Sequence, residues 1–187
     1  MIQGEKLQDY LENERKKYLF NRKQALRCFL VCDERYYLWK LVKSIRKLDY
    51  HRTCNHSLRA IIYERRKNRI SRKCGSFIEG ASIGKGLKIW HGDIMIHSRA
   101  VIGENCQLHG RNCIGNKGTS GSGVPTIGNN VDIGVRAILI GDIVIADNIT
   151  IAANAVVTKS CLIEGAVLAG VPATIVEKPL SRPVNVR

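Results

Sequence analysis

From Phe77 onward the chain keeps a six-residue beat, which restricts its fold more than any other feature of its 187 residues. Past residue 126 an aliphatic residue or alanine recurs at Ile127, Ile133, Leu139, Ile145, Ile151, Val157, Ile163 and Ala169. Four positions after each of the first seven sits a second apolar residue: Val131, Ala137, Ile143, Ile149, Ala155, Cys161 and Val167. The beat runs earlier through Phe77, Ile83 and Ile89, then Ile96, Ile102, Leu108 and Ile114. Two inward positions per hexad make short strands joined by tight turns, and such a unit buries its apolar face only by stacking on its neighbours. The spacing predicts a mainly β fold, a parallel β-helix with three hexads per coil and coils ~4.8 Å apart. The ends of such a stack need covers. "AGVPATIVEKP" (169–179) is the expected cover at one end and a helical arm at the other.

The arm is expected over 1–74, the β-helix over 75–178 with a loop excursion at 116–126, and a tail over 179–187. "YYLWKLVKSIRKL" (36–48) aligns Tyr37, Leu38, Leu41, Val42, Ile45 and Leu48 on one helical stripe, with Lys40, Lys43, Arg46 and Lys47 mostly elsewhere. "SLRAIIYERRKNRI" (57–70) reads as another helix, with Ser57 a candidate cap and Leu58, Ile61 and Ile62 its apolar residues. A weaker pattern covers about residues 4–20.

Charge is concentrated in this arm. The net charge is +14, and residues 35–73 hold 13 basic and 2 acidic side chains. Three roles stay open: a solvated face, docking on an anionic membrane, or a grip on an acidic polysaccharide. No nucleic-acid motif accompanies the charge, so nucleic acid is not expected as a partner. The start of the chain lacks an apolar leader core, and no apolar run approaches the ~18 residues of a membrane span. Seven cysteines without a CxxC pair point to free thiols in a reducing cytoplasm and argue against zinc.

The beat slips once within "KIWHGDIMIH" (88–97), where Ile89 and Ile96 stand seven apart and Trp90, His91 and Asp93 enter. These hexads, the slipped "WHG", the loop "NKGTSGSGVPT" (116–126) and the ending "AGVPA" (169–173) resemble the hexapeptide-repeat acyltransferases. Within that family the likeness is to the serine acetyltransferase-like branch, nearest to the capsule, exopolysaccharide and colanic-acid O-acetyltransferases. It covers roughly the last three-fifths of the chain. It implies a left-handed coil, a homotrimer, and acetyl-CoA as co-substrate in the groove between neighbouring prisms, with no bound cofactor or metal.

The resemblance places His91 on the family's catalytic histidine. A neutral imidazole within ~3 Å of a hydroxyl can take its proton during attack on a thioester. Backbone N–H groups near the glycine-rich loop would hold the oxyanion. Ser76 stands where the family often has an acid, leaving Glu79, Asp93 or a backbone carbonyl to orient the imidazole. Trp90 and His109 are acceptor-site candidates, although His109 reads equally as an exposed turn residue. For acetyl-CoA the resemblance points to Gly118, Val135, Ala153, Thr158, Lys159 and Lys178. Plain hexad filling for Ala153 and a solvated turn for Lys159 are the plainer alternatives. Val124 replaces the second histidine of serine acetyltransferases, and their helical domain is much longer. The sequence therefore favours O-acetylation of a sugar hydroxyl in polysaccharide synthesis, by a cytoplasmic enzyme contacting the inner membrane face. The alternatives are acetyl transfer to serine or another small acceptor, and a non-catalytic adaptor using its basic arm.

Overall fold

The computed structural model describes residues 4–18, 21–78, 80–118 and 122–177. The arm contains α1 (Gly4–Tyr18), α2 (Arg22–Leu30), α3 (Glu34–Thr53) and α4 (Ser57–Lys73). The sequence reading missed α2, though Asn21 marks its start: the side-chain oxygen accepts from Gln24 N at 2.8 Å. Asp33 caps α3 in the same way, accepting from Arg35 N at 2.8 Å. Ser57 is not a cap; it opens α4, with His56 before it. The stripe of α3 packs inward at Leu38, Leu41, Val42, Ile45 and Leu48. On α4 the expected apolar residues Leu58, Ile61 and Ile62 face outward, while Lys67, Ile70 and Ser71 are buried.

The remainder is a three-sided prism. Its first coil is β1 (Phe77–Ile78), β2 (Ser82–Ile83) and β3 (Lys88–Ile89). The second is β4 (Met95–Ile96), β5 (Val101–Ile102) and β6 (Gln107–Leu108), and the third β7 (Cys113–Gly115), β8 (Thr126–Ile127) and β9 (Asp132–Ile133). The fourth is β10 (Ile138–Ile140), β11 (Val144–Ile145) and β12 (Thr150–Ile151). β13 (Val156–Val157) and β14 (Val167–Gly170) form the fifth, with Cys161 bridging to Ile145 between them, and β15 (Ala173–Glu177) folds back antiparallel on β14 as the closing cover. Each strand pairs in parallel with its counterpart one coil away, giving a first sheet β1-β4-β7-β10-β13, a second β2-β5-β8-β11, and a third β3-β6-β9-β12-β14. Corner residues adopt left-handed backbone at Asn105, Asn130, Asn148 and Asn154, which asparagine tolerates better than most residues.

The beat fails at both ends. Phe77 was expected inside, but its amide bonds Ile94 O and its ring faces outward, so Ile78 takes the core position. At the far end Ile163 is exposed, and Ala166 and Leu168 fill the interior in place of Val167 and Ala169. There the chain turns through Gly165, at φ 71°, into β14.

The arm covers the first coil and supplies the partners that its unpaired edge lacks. Arg46 donates to Ile83 O and Gly84 O, each at 2.6 Å, Lys67 Nζ to Ile78 O at 3.0 Å, and Lys17 Nζ to Gly86 O at 2.6 Å. The Tyr18 hydroxyl accepts the Ile89 amide at 2.6 Å. Arg46, expected off the buried stripe, is therefore among the most enclosed side chains, 1% exposed against a fully buried Glu14. Open strand edges must be paired or covered, and here buried cations do much of the covering.

Nearby, burial raises the Asp49 carboxyl to about 6, against the pull of Arg46, Arg52 and Lys67. A raised carboxyl contributes stability below its unfolded value of 3.8 and loses it as pH rises through about 6. Asp49→Asn should therefore raise the thermal midpoint at pH 7, by roughly 2–4 °C if ~1 kcal/mol is recovered. Little or no gain should appear below the unfolded value, as calorimetry at the two pH values would read.

Candidate active site

The slipped turn between β3 and β4 leaves the prism at the edge joining the third sheet to the first. Along that edge the ladder stacks Trp90, His109, Gly134 and Ala152 in one column and His91, Gly110, Val135 and Ala153 in the next. Gly92, Arg111, Arg136 and Asn154 form the third. A cavity of about 500 Å³ opens there, lined by His91, Gly110, Val135, Asp93, Arg111 and Arg136 among others. Gly110 has to be glycine. Its φ is 109°, and a Cβ on it would stand 2.7 Å from His91 Cβ.

The group that holds His91 comes from the arm. Glu34, the first residue of α3, faces His91 Nδ1 with Oε2 at 3.1 Å and accepts the Gly92 amide on Oε1 at 2.7 Å. A carboxylate on Nδ1 favours the proton there and leaves Nε2 as the free base. Of the expected orienting acids, Asp93 is not the one on His91. Asp93 lies 3.7 Å from Arg111 Nε instead, and Glu79 falls outside the described residues. Ser76 is buried, donating to Cys74 O and facing Ile94 N. Glu34 was invisible to motif reading because 57 positions separate it from His91; the Asp33–Glu34 pair opening a helix was the one local hint.

Trp90 and His109 come together beside His91, their rings stacked with centroids 5.7 Å apart. His109 Nε2 reaches Asp132 Oδ1 at 2.7 Å, and Trp90 Nε1 donates to Gln107 Oε1 at 3.0 Å. The acetyl-CoA candidates are divided. Val135 and Ala153 share the His91 column, whereas Thr158 and Lys159 follow β13, and Gly118 follows β7, at the opposite edge of the first sheet. Lys178 lies outside the described residues, as does part of the glycine-rich loop expected to supply oxyanion donors.

No protein-family model matches the chain. A serine acetyltransferase of Synechococcus elongatus is 33% identical over 99 residues, covering 52% of this chain and 40% of the relative. One of Helicobacter pylori is 37% identical over 101 residues, covering 53% and 58%. The matched stretch thus spans about half the length of these curated relatives. Among solved structures, the Neisseria gonorrhoeae serine acetyltransferase superposes with a TM-score of 0.70 at 26% identity, over 96% of this chain and 69% of the other. The chain is thus similar to serine acetyltransferases, in sequence over its hexad region and in fold over most of its length. Its prism is the left-handed parallel β-helix of those enzymes. The soybean serine acetyltransferase apoenzyme, at 22% identity and a TM-score of 0.72, shares the fold with its N-terminal helices. A closer tie to the capsule and colanic-acid branch finds no support in these likenesses.

Glu34 is placed to act through His91. Glu34→Gln keeps a hydrogen-bonding group of the same size but removes the charge and frees the tautomer. Turnover should fall by roughly tenfold or more, below the ~10⁴ lost with a fully buried triad carboxylate, because Glu34 is partly solvated. The loss should fall on kcat with KM little changed, as steady-state kinetics would show; an equal rise in KM alone would mark Glu34 as an acceptor contact.

Proposed function

We propose that the chain is an acetyl-CoA-dependent O-acetyltransferase in which His91 is the general base. The observation that carries this is His91 held by Glu34 on Nδ1 at the open edge of the prism, with Nε2 left for an acceptor. Nε2 takes the hydroxyl proton as the oxygen attacks the thioester carbon. The carbon–sulfur bond then breaks, and the imidazolium returns the proton to the CoA thiolate. No acyl-enzyme is needed.

The acceptor that fits best is serine. The serine acetyltransferases among the relatives favour it, and the His91 cavity sets Arg111 and Arg136 near Asp93 and Glu34, charges of both signs that suit a zwitterion. The sugar hydroxyl favoured by the sequence is the second reading, supported by the half-exposed Trp90 ring beside His91, a surface on which a sugar can stack. Saturable, serine-dependent CoA release that yields O-acetylserine supports the first. Release with glycans alone, weakened through KM by Trp90→Ala, would replace it with the second.

The assembly is read as a trimer joined across the first sheet. Its outward residues are Phe77, Met95, Cys113, Ile138 and Val156, an unbroken apolar column where a solvated strand face would alternate with polar groups. A ring closed on this face brings the Gly118, Thr158 and Lys159 edge of one copy to the His91 edge of the next. That would reunite the divided acetyl-CoA residues in one groove. No helix among the described residues is long and apolar enough to cross a membrane. A cytoplasmic enzyme with its basic arm at the inner membrane face is the location proposed.

A further inference from the structure

The arm carries a second cavity, of about 510 Å³, between α2, α3 and α4. Phe29, Tyr36 and Tyr37 supply its aromatic wall. Lys40, Arg65, Arg66, Arg69 and Lys73 surround it, and among the described residues no carboxylate lines it. Among the described residues none of these five cations forms an ion pair; Lys40 and Lys73 instead lie over the rings of Tyr36 and Tyr37, at 4.9 and 5.2 Å from the centroids. The three arm cations that cover the first coil, Lys17, Arg46 and Lys67, are different residues. The cleft's charge is therefore not needed to hold the arm on the prism.

Large apolar side chains flank this cleft. Ile62 and Phe29 line it and are at least half exposed. Leu26, Leu30 and Val31 continue outward from Phe29 on and just after α2, and Leu58 and Ile61 precede Ile62 on α4, all more than half exposed. Exposed leucine and isoleucine beside clustered arginine is costly in water and suits an interface that is anionic above and apolar below. A second copy of this chain seated there would set the five cations against five more. An acidic polymer would satisfy the arginines but leave the apolar residues uncovered. An anionic lipid surface satisfies both.

We propose that this face is a docking site for an anionic lipid bilayer, with lipid phosphates in the arginine-lined cleft and the α2 and α4 apolar residues entering the headgroup boundary. Binding is independent of acetyl transfer, so its test uses neither acetyl-CoA nor an acceptor. The full chain is sedimented with vesicles of phosphatidylcholine alone and of equal parts phosphatidylcholine and phosphatidylglycerol. Binding is expected only to the anionic vesicles and is expected to weaken with salt. The triple variant Arg65→Gln, Arg66→Gln, Arg69→Gln should partition about a hundredfold more weakly, roughly a factor of five per basic residue at an anionic surface. Leu58→Ser with Ile61→Ser should remove the part of the binding that survives high salt. Circular dichroism checks that both variants fold, and the salt dependence of the unaltered chain stands if either does not.

Equal binding to both vesicle types, or none to either, would overturn the proposal. So would binding to soluble inorganic polyphosphate without binding to anionic vesicles, which would mark a free-phosphate site, and so would loss of the oligomer in the triple variant, which would mark a contact between copies.

Discussion

Replacing His91 by alanine should lower acceptor-dependent CoA release by about 10²–10⁴-fold, the usual contribution of a positioned general base. The fold should survive, because the His91 side chain is 72% exposed. Three features make the effect this large. The Glu34 carboxylate sets the imidazole's orientation, the Gly92 N–H donates to Glu34 and fixes that carboxylate, and Gly110 leaves room for the His91 Cβ and backbone. His91→Asn should be almost as poor as alanine, since an amide cannot accept a proton at neutral pH. Acetyl-CoA binding should persist in both, because the base acts on the acceptor. Binding titrations beside the rate assay separate a lost base from a lost site; a variant that retains full turnover would remove His91 from the chemistry.

The second large effect is on stability. Arg46 joins Glu14 through Nε at 2.8 Å and Nη2 at 2.6 Å, and it also satisfies two carbonyls of the first coil. Arg46→Met keeps most of the volume but leaves a buried carboxylate and the Ile83 and Gly84 carbonyls without their donor. Breaking a buried pair from one side costs about 3–5 kcal/mol, a large share of the ~5–15 kcal/mol that holds a domain together. Burial already raises the Glu14 carboxyl above its ordinary 4.5, with Arg46 pulling the other way. Without Arg46 that rise grows. A raised carboxyl contributes most below its unfolded value and loses that contribution as pH rises, so the variant's deficit should shrink at acid pH. Chemical denaturation at pH 7 and pH 4 reads both. An equal deficit at the two pH values would locate the loss in the carbonyl bonds rather than in Glu14.

The hexad residues were legible because their role is local and repeated. Ile83 through Ile114 and Ile127 through Val157 all point inward as their spacing required, since each coil repeats its predecessor's environment. The spacing failed where the repeat meets something else, at Phe77 beneath the arm and after Cys161 at the closing hairpin. The slip marked the open turn on which His91 stands, although the ladder keeps His91 itself in register with Gly110 and takes up the extra residue after Gly92. Glu34, Gly110 and Arg46 were not legible. Glu34 and Arg46 act across 57 and 32 positions of sequence, and periodicity within a helix reports its own stripe and says nothing of what another element buries. Arg46 broke the pattern outright: a cation expected at the surface became a core residue because the first coil has open carbonyls. Gly110 is a turn glycine in sequence, and only the stacking of coils reveals His91 above it.

The measurement that bears most directly on the central claim is acceptor-dependent CoA release by the full chain, with the product identified by mass, across serine and a panel of sugars. On that claim one CoA is released for each O-acetylated acceptor, with serine acetylated and the activity lost in His91→Ala. CoA release that no hydroxyl acceptor stimulates, together with no detectable acetyl-CoA binding, would contradict it.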